Sequence, residues 1–296
     1  MVTVLLRGGL GNQMFQCAAG IGLAKKQRTR LTLDATLLND RFPRKQITFR
    51  TYDLDVFARV PERTTLSKIS SAVPVPGLWA AADLLFIEFR DVFGIQKMVK
   101  EKQAHLFDAD VLRSGSNVFL WGFWQTPKYF AEAEAEVRDA FRFRSPLQGE
   151  AADLARTMGE TNSVAVHVRR ADYLLPKYKG VYGDTNLDYY EKAVQCIAGR
   201  VKDPTLFVFS DDIAWCKEHF HFPHPTTFID RSSEGPKSSF HLQLMSLAKH
   251  NIITNSSFSW WGAWLNRNPQ KIVIAPKQWS LASGSGEVTP ENWIKF

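Results

Sequence analysis

"SVAVHVRRADY", residues 163–173, begins as an apolar strand and ends on two adjacent arginines and an aspartate. Val164, Val166 and Val168 alternate with Ala165 and His167, which suits a strand covered on both faces. Two guanidinium groups at the end of such a strand need a reason. In open α/β sheets, ligands bind outside the carboxyl ends of the strands, where loops and helix N-termini gather. The stretch therefore predicts a parallel, doubly wound sheet with a charged ligand at its carboxyl edge.

The surrounding chain extends that pattern. Short apolar runs recur at 206–210 (LFVFS), 226–229 (TTFI), 251–254 (NIIT) and 271–275 (KIVIA). Between them, Tyr190, Val194, Ile197 and Val201 fall on one helical face, and Phe240, Leu244 and Leu247 form a second. The first half opens similarly, with a strand at 2–6, a glycine turn, a helix from Asn12 to about Lys26 and a strand ending at Asp34. Residues 35–117 carry proline breaks and basic residues without clear periodicity. A strand is expected at 117–125, then a helix through Phe141. Turn residues in "FRSPLQGE" put the boundary near 150, giving domains 1–150 and 151–296.

The chain has 296 residues, 45% hydrophobic and 23% charged, enough for two domains of ordinary size. A net charge of +7 favours an anionic partner: a phosphate, a nucleic acid or an anionic membrane. The three cysteines, Cys17, Cys196 and Cys216, form no CxxC pair, so neither a disulfide framework nor a zinc site is expected. The N-terminal apolar run is too short for a secretory signal, and the longest apolar stretch, 77–89, is broken by Asp83 and too short to span a bilayer. A cytoplasmic location follows as the expectation, with peripheral contact at the inner membrane through basic charge.

Three loops at predicted strand ends carry chemistry. In the first, His167, Arg169 and Arg170 suit a phosphate, which a guanidinium clamps through paired hydrogen bonds; one arginine pairing with Asp172 is the structural alternative. In the second, Asp211 and Asp212 suit the edge of a guanine or a ribose hydroxyl equally as well as a helix N-cap. In the third, Asn255, Ser256, Ser257 and Ser259, with Phe258 among them, open a helix whose Trp261, Trp264 and Leu265 face the core. Hydroxyls and backbone amides there suit a diphosphate. A fourth turn, "RGGLGNQMFQ" (7–16), fails the GxGxxG pattern because position 14 is Met14, and lacks the GK[ST] of a P-loop. It still places Gly11, Asn12 and Gln13 at the end of the first strand. His219, His221 and His224 lack the partners of a metal site, and the DxD sequences at 53–55 and 108–110 follow no buried strand.

"GGLGNQMFQ", "HVRRADY", "FSDD" and "TNSSFSWWGAWL", in this order and spacing, resemble the α-1,2-fucosyltransferases of glycosyltransferase family 11 and, more distantly, the protein O- and α-1,6-fucosyltransferases. The resemblance implies a GT-B-like α/β fold of two Rossmann-like domains facing a cleft, an N-terminal acceptor side and a C-terminal domain holding GDP-β-L-fucose, with no metal required. The expected activity is inverting transfer of L-fucose to the 2-hydroxyl of a terminal galactose, in O-antigen or oligosaccharide biosynthesis. By the same resemblance Arg169 holds the diphosphate beside His167. Arg170, Asp211, Asp212, Asn255, Ser256, Ser257, Phe258 and Ser259 line the donor. Asn12 acts at the reaction centre, and Gly11, Gln13 and Asp34 line the acceptor side or cleft. The α-1,6 relatives carry a glutamate ten residues after the motif histidine where this chain has Lys177, so the base is unassigned among His167, Asp34, Asp172 and a departing phosphate oxygen. Alternatives are a fucosyltransferase of another linkage, a non-catalytic nucleotide-sugar or glycan-binding module, and a nucleic-acid binder, against which the dispersed basic residues argue.

Overall fold

A computed structural model describes residues 1–39, 50–73, 92–170, 186–280 and 286–296, with isolated positions between 75 and 85. The chain divides into two compact units, Met1–Arg144 and Ser145–Phe296. Each is an α/β unit built on a parallel sheet.

In the first unit, β1 (Val2–Leu5), β2 (Leu31–Asp34), β3 (Lys97–Lys100) and β4 (Val118–Trp121) form a sheet in the order β2-β1-β4-β3. All three pairings are parallel. Helix α1 (Leu10–Lys26) crosses from β1 to β2. It lies close to the chain beside it because Gly22 leaves no room for a Cβ, which would stand 2.1 Å from the Tyr129 carbonyl oxygen. β3 lies within the region that sequence periodicity left unread. Its Lys-Met-Val-Lys sequence is exposed at both ends and only half-buried between, as an edge strand allows.

In the second unit, β5 (Asn162–Val168), β6 (Pro204–Ser210), β7 (Thr226–Ile229), β8 (His250–Ile252), β9 (Val273–Ala275) and β10 (Ile294–Lys295) follow the order β10-β9-β8-β5-β6-β7, again parallel throughout. This is the Rossmann order: the chain runs outward from β5 to β7, returns to the centre and runs outward from β8 to β10. Residues 163–168 of β5 are buried, so its apolar run is that of a central strand with both faces covered.

The helix Leu187–Ala198 buries Tyr190, Val194 and Ile197 as its spacing predicts, and Val201 packs against the same core. The helix Ser239–Leu247 departs from expectation. Leu244 is buried, but Leu247 is exposed, and the inward stripe is His241, Leu242, Leu244 and Met245. Met245 seats against Gly262 of the helix Ser257–Leu265, where a Cβ would come within 2.8 Å of it, and this contact sets the rotation. In that second helix Trp260 joins Trp261 and Trp264 in the interior, and its indole N–H donates to the Val288 carbonyl at 2.8 Å. Among the described residues no helix is long and apolar enough to cross a membrane.

Candidate active site

The switch point of the second sheet lies between β5 and β8, and the three polar loops expected to carry chemistry leave the carboxyl ends of β5, β6 and β8. β5 and β6 pair in register from Asn162↔Pro204 to Val168↔Ser210, which carries Arg169 and Arg170 alongside Asp211 and Asp212.

Four charges interlock there. The Arg170 backbone N–H donates to Asp211 Oδ1 at 2.8 Å, and Arg170 Nε donates to Asp212 Oδ2 at 3.3 Å. Arg169 Nε lies 3.2 Å from Asp211 Oδ2. The Arg170 guanidinium also stacks 4.1 Å from the centre of the Trp215 ring, a cation–π contact. Asp212 caps the helix Ile213–His219, accepting the Trp215 N–H at Oδ1, so both of its oxygens are engaged within the protein. Both arginines are thus paired within the protein, Arg169 with Asp211 and Arg170 with Asp211 and Asp212. Asp172, expected as such a partner, and Lys177 lie outside the described residues.

His167 is buried, and its ring lies 5.9 Å from that of Phe258, which brings the opening of the helix Ser257–Leu265 against the end of β5. Among the described residues its Nδ1 has no hydrogen-bond partner. Burial first, then the nearby charges of Arg169 and His241, push its pKa down to about 3. The imidazole is therefore neutral across the physiological range, a poor match for a base working near neutrality. Because the unfolded chain binds a proton near pH 6.5 and the native site does not, His167 contributes stability above that value that is lost as pH falls from about 6.5 towards 3. His241 is shifted the same way by burial. A His167→Gln variant should flatten the fall in urea midpoint between pH 6.5 and pH 4, and an unchanged slope would contradict the buried neutral imidazole.

The third loop divides by burial. Asn255 is buried, accepting the Thr254 hydroxyl and donating to the Trp279 carbonyl, and the Ser259 hydroxyl is buried and donates to the Ser256 carbonyl. Their side chains hold the loop together. Ser256, Ser257 and Phe258 are the half-buried members at the helix opening, and the Ser256 side chain makes no capping bond.

In the first unit, Gln13 was expected on the acceptor side, but it is fully buried. Its amide donates to the carbonyls of Gly8 and Thr51 and accepts the Asp53 N–H, tying the glycine turn to residues 51–53. Gly11 is buried in α1. Asp34 is also buried and accepts the Thr36 N–H at 2.9 Å, which is the work of a turn. Asn12 is half-buried, and its Oδ1 accepts the Gln125 amide at 2.7 Å, while Gln125 Oε1 lies 3.1 Å from His105 Nε2. Gly8, with φ +75, leaves no room for a Cβ, which would meet Asn12 Nδ2 at 2.5 Å.

Sequence reading names Asn12 but misses its partners Gln125 and His105, and misses Glu101, which accepts the N–H groups of Phe123 and Trp124. Burial raises the Glu101 carboxyl above its ordinary range, and burial lowers the nearby Arg7. Non-glycine residues at positive φ, His105 and Trp124, mark the same loops, a signal invisible in sequence. His219 stacks on Trp215, and Asp108 pairs with Lys102. Among the described residues no group of three His, Cys, Asp or Glu is arranged to hold a metal ion.

The model of glycosyl transferase family 11 matches residues 1–295. The chain belongs to glycosyl transferase family 11. It is 30% identical to the O-antigen biosynthesis glycosyltransferase WbnK of Escherichia coli, covering 98% of this chain and 99% of that protein. It is 31% identical to an α-1,2-colitosyltransferase of Escherichia coli, covering 100% and 99%. The galactoside α-(1,2)-fucosyltransferase 2 of Hylobates lar is 25% identical over 90% of this chain and 69% of its own length. Among solved structures, NodZ α-1,6-fucosyltransferase soaked with GDP-fucose matches with a TM-score of 0.50 at 16% identity, covering 92% of this chain and 94% of that one. The fold is therefore the GT-B-type α/β fold of that enzyme, and the chain is a glycosyltransferase.

Proposed function

We propose that this enzyme transfers L-fucose with inversion from GDP-β-L-fucose to the 2-hydroxyl of a terminal galactose, forming an α-1,2 linkage. The supporting observation is the family match over nearly the whole chain together with Arg169, His167 and the opening of the helix Ser257–Leu265 at one switch point. In the reaction the bond from fucose C1 to the diphosphate breaks, the galactose oxygen bonds to C1 from the opposite face, and the hydroxyl proton leaves to a base.

Negative charge grows on the departing GDP as the sugar becomes oxocarbenium-like. Arg169 stabilises that charge, and Ser256 and Ser257 with the adjoining backbone amides hold the phosphates, so no metal is needed. Asp211 and Asp212 position the arginines, and Asn12 belongs to the acceptor side. His167, kept neutral, stands beside the donor as a hydrogen-bonding group whose Nδ1 a ligand can satisfy. The enzyme works in the cytoplasm, with peripheral contact at an anionic membrane through its net charge of +7.

Incubation with GDP-fucose and a β-galactoside should yield GDP and an α-1,2-fucosylated product whose linkage is read by NMR, at a rate unchanged in excess chelator. Folded protein that gives no product would refute the transferase assignment, and loss of rate in chelator, restored by a divalent ion, would refute the metal-free mechanism. The colitosyltransferase match supports a second reading, since colitose is 3-deoxy-L-fucose. Equal exposure to GDP-fucose and GDP-colitose decides between the donors by their kcat/KM ratio.

A further inference from the structure

The amino ends of the first sheet's strands form a rim opposite the loops that carry Asn12 and Gln125. Hydrogen bonds trace it across the sheet. Val2 N–H donates to the Arg30 carbonyl at 2.8 Å, Val118 N–H to the Met1 carbonyl at 3.2 Å, and Lys97 N–H to the Asn117 carbonyl at 3.2 Å. Asn117 Nδ2 then reaches the Ile95 carbonyl at 2.7 Å. Gln96 is buried beneath, donating to the Met1 and Val118 carbonyls and to the Thr3 hydroxyl.

Two kinds of side chain share this rim. Val92, Phe93 and Ile95 are 79%, 66% and 52% exposed, and Met1, whose carbonyl accepts the Gln96 amide, is 49% exposed. Gly94, at φ +65, turns the chain between Phe93 and Ile95, with no atom within 4 Å of where a Cβ would stand. Arg28, Arg30 and Lys97 are exposed, and among the described residues none has an acidic partner. The described rim segments 1–2, 28–30, 92–97 and 114–118 contain no Asp or Glu; Asp91, which precedes Val92, lies outside the described residues, and the nearby Asp110 is held by Arg113.

We infer that this rim is a docking face for an anionic phospholipid bilayer, with Phe93, Val92 and Ile95 entering the interface and Arg28, Arg30 and Lys97 meeting headgroup phosphates. The apolar residues stand before β3 at one edge of the sheet with Lys97, and Arg28 and Arg30 stand before β2 at the other edge. Apolar insertion combined with basic side chains on one rim is what interfacial binding requires, because neither term alone holds a protein at a membrane. A second copy of the chain is the poorer occupant: a two-fold contact would face a patch carrying three cations with an identical patch. Docked this way, the first sheet keeps its carboxyl-end loops on the side away from the lipid.

This sharpens the membrane contact proposed above from net charge alone. The full chain is sedimented with vesicles of phosphatidylcholine mixed with phosphatidylglycerol, and with phosphatidylcholine alone, at ~0.15 M salt. It should pellet only with the mixed vesicles and less at higher salt. Partition should fall about tenfold for Arg28→Glu with Arg30→Glu, and similarly for Phe93→Ser with Ile95→Ser. Both variants should keep the wild-type thermal midpoint and turnover on soluble substrates.

Pelleting retained by both variants would overturn the rim while leaving a diffuse charge contact standing. No pelleting of the wild type would overturn both. Rim-dependent dimerisation or RNA binding without vesicle binding would assign the face to another occupant and overturn the lipid reading. Fucosyl transfer is assayed without vesicles, so its failure is a separate result.

Discussion

Arg169→Ala should lower kcat for transfer from GDP-fucose by roughly 10²–10³-fold, the usual loss when one preorganised group aimed at developing charge is removed. Its fork approaches Asp211 through Nε at 3.2 Å, and the partial exposure of its side chain keeps it reachable by a ligand. For that reason the stability cost should be small, about 1 kcal/mol, since a partly solvated pair contributes little. Arg169→Lys keeps the charge but loses the planar fork, so it should recover only part of the rate. GDP release and product formation, measured beside thermal unfolding, check this. A variant that turned over within about threefold of wild type would remove Arg169 from the chemistry.

Asp211→Ala should act on stability and on donor binding together. Its carboxylate is nearly buried and accepts the Arg170 N–H at 2.8 Å while facing Arg169, so truncation removes the acceptor of that N–H and the carboxylate that faces Arg169. Breaking such an arrangement costs about 2–3 kcal/mol, below the full penalty of a wholly buried pair because both arginines keep some solvent. Asp211→Asn retains an oxygen for the Arg170 N–H but not the charge. It should fold almost normally while raising KM for the donor several-fold, because Arg169 is then held less firmly. Urea midpoints and donor KM separate the two variants. An Asn variant with unchanged KM would reduce Asp211 to a purely structural group.

Legibility in the sequence followed the physics of each element. Strands β5 and β6 stand out because a parallel strand buried on both faces is a near-continuous apolar run. β10 has two residues and β3 is an exposed edge, so neither carries that signal. The group of Glu101, His105 and Gln125 stayed hidden for a related reason: Glu101 directly follows the unreadable β3, and its partners lie about twenty residues on, across the β3–β4 pairing. Asn255 and Ser259 look like ligand groups in a polar string, yet both hold the loop itself together.

By itself the sequence determined the α/β class, the strand ends where chemistry collects and the family to which those motifs belong. Periods of two and 3.6 residues encode which side chains face inward, and motif spacing encodes which loops carry charge. Only the tertiary structure decided the partners. The register of β5 on β6 sets Arg169 and Arg170 against Asp211 and Asp212, a pairing that no sequence motif indicates. Burial at the same edge makes His167 a neutral group. Pairing and desolvation depend on strand order and packing across dozens of residues, and no local pattern records them.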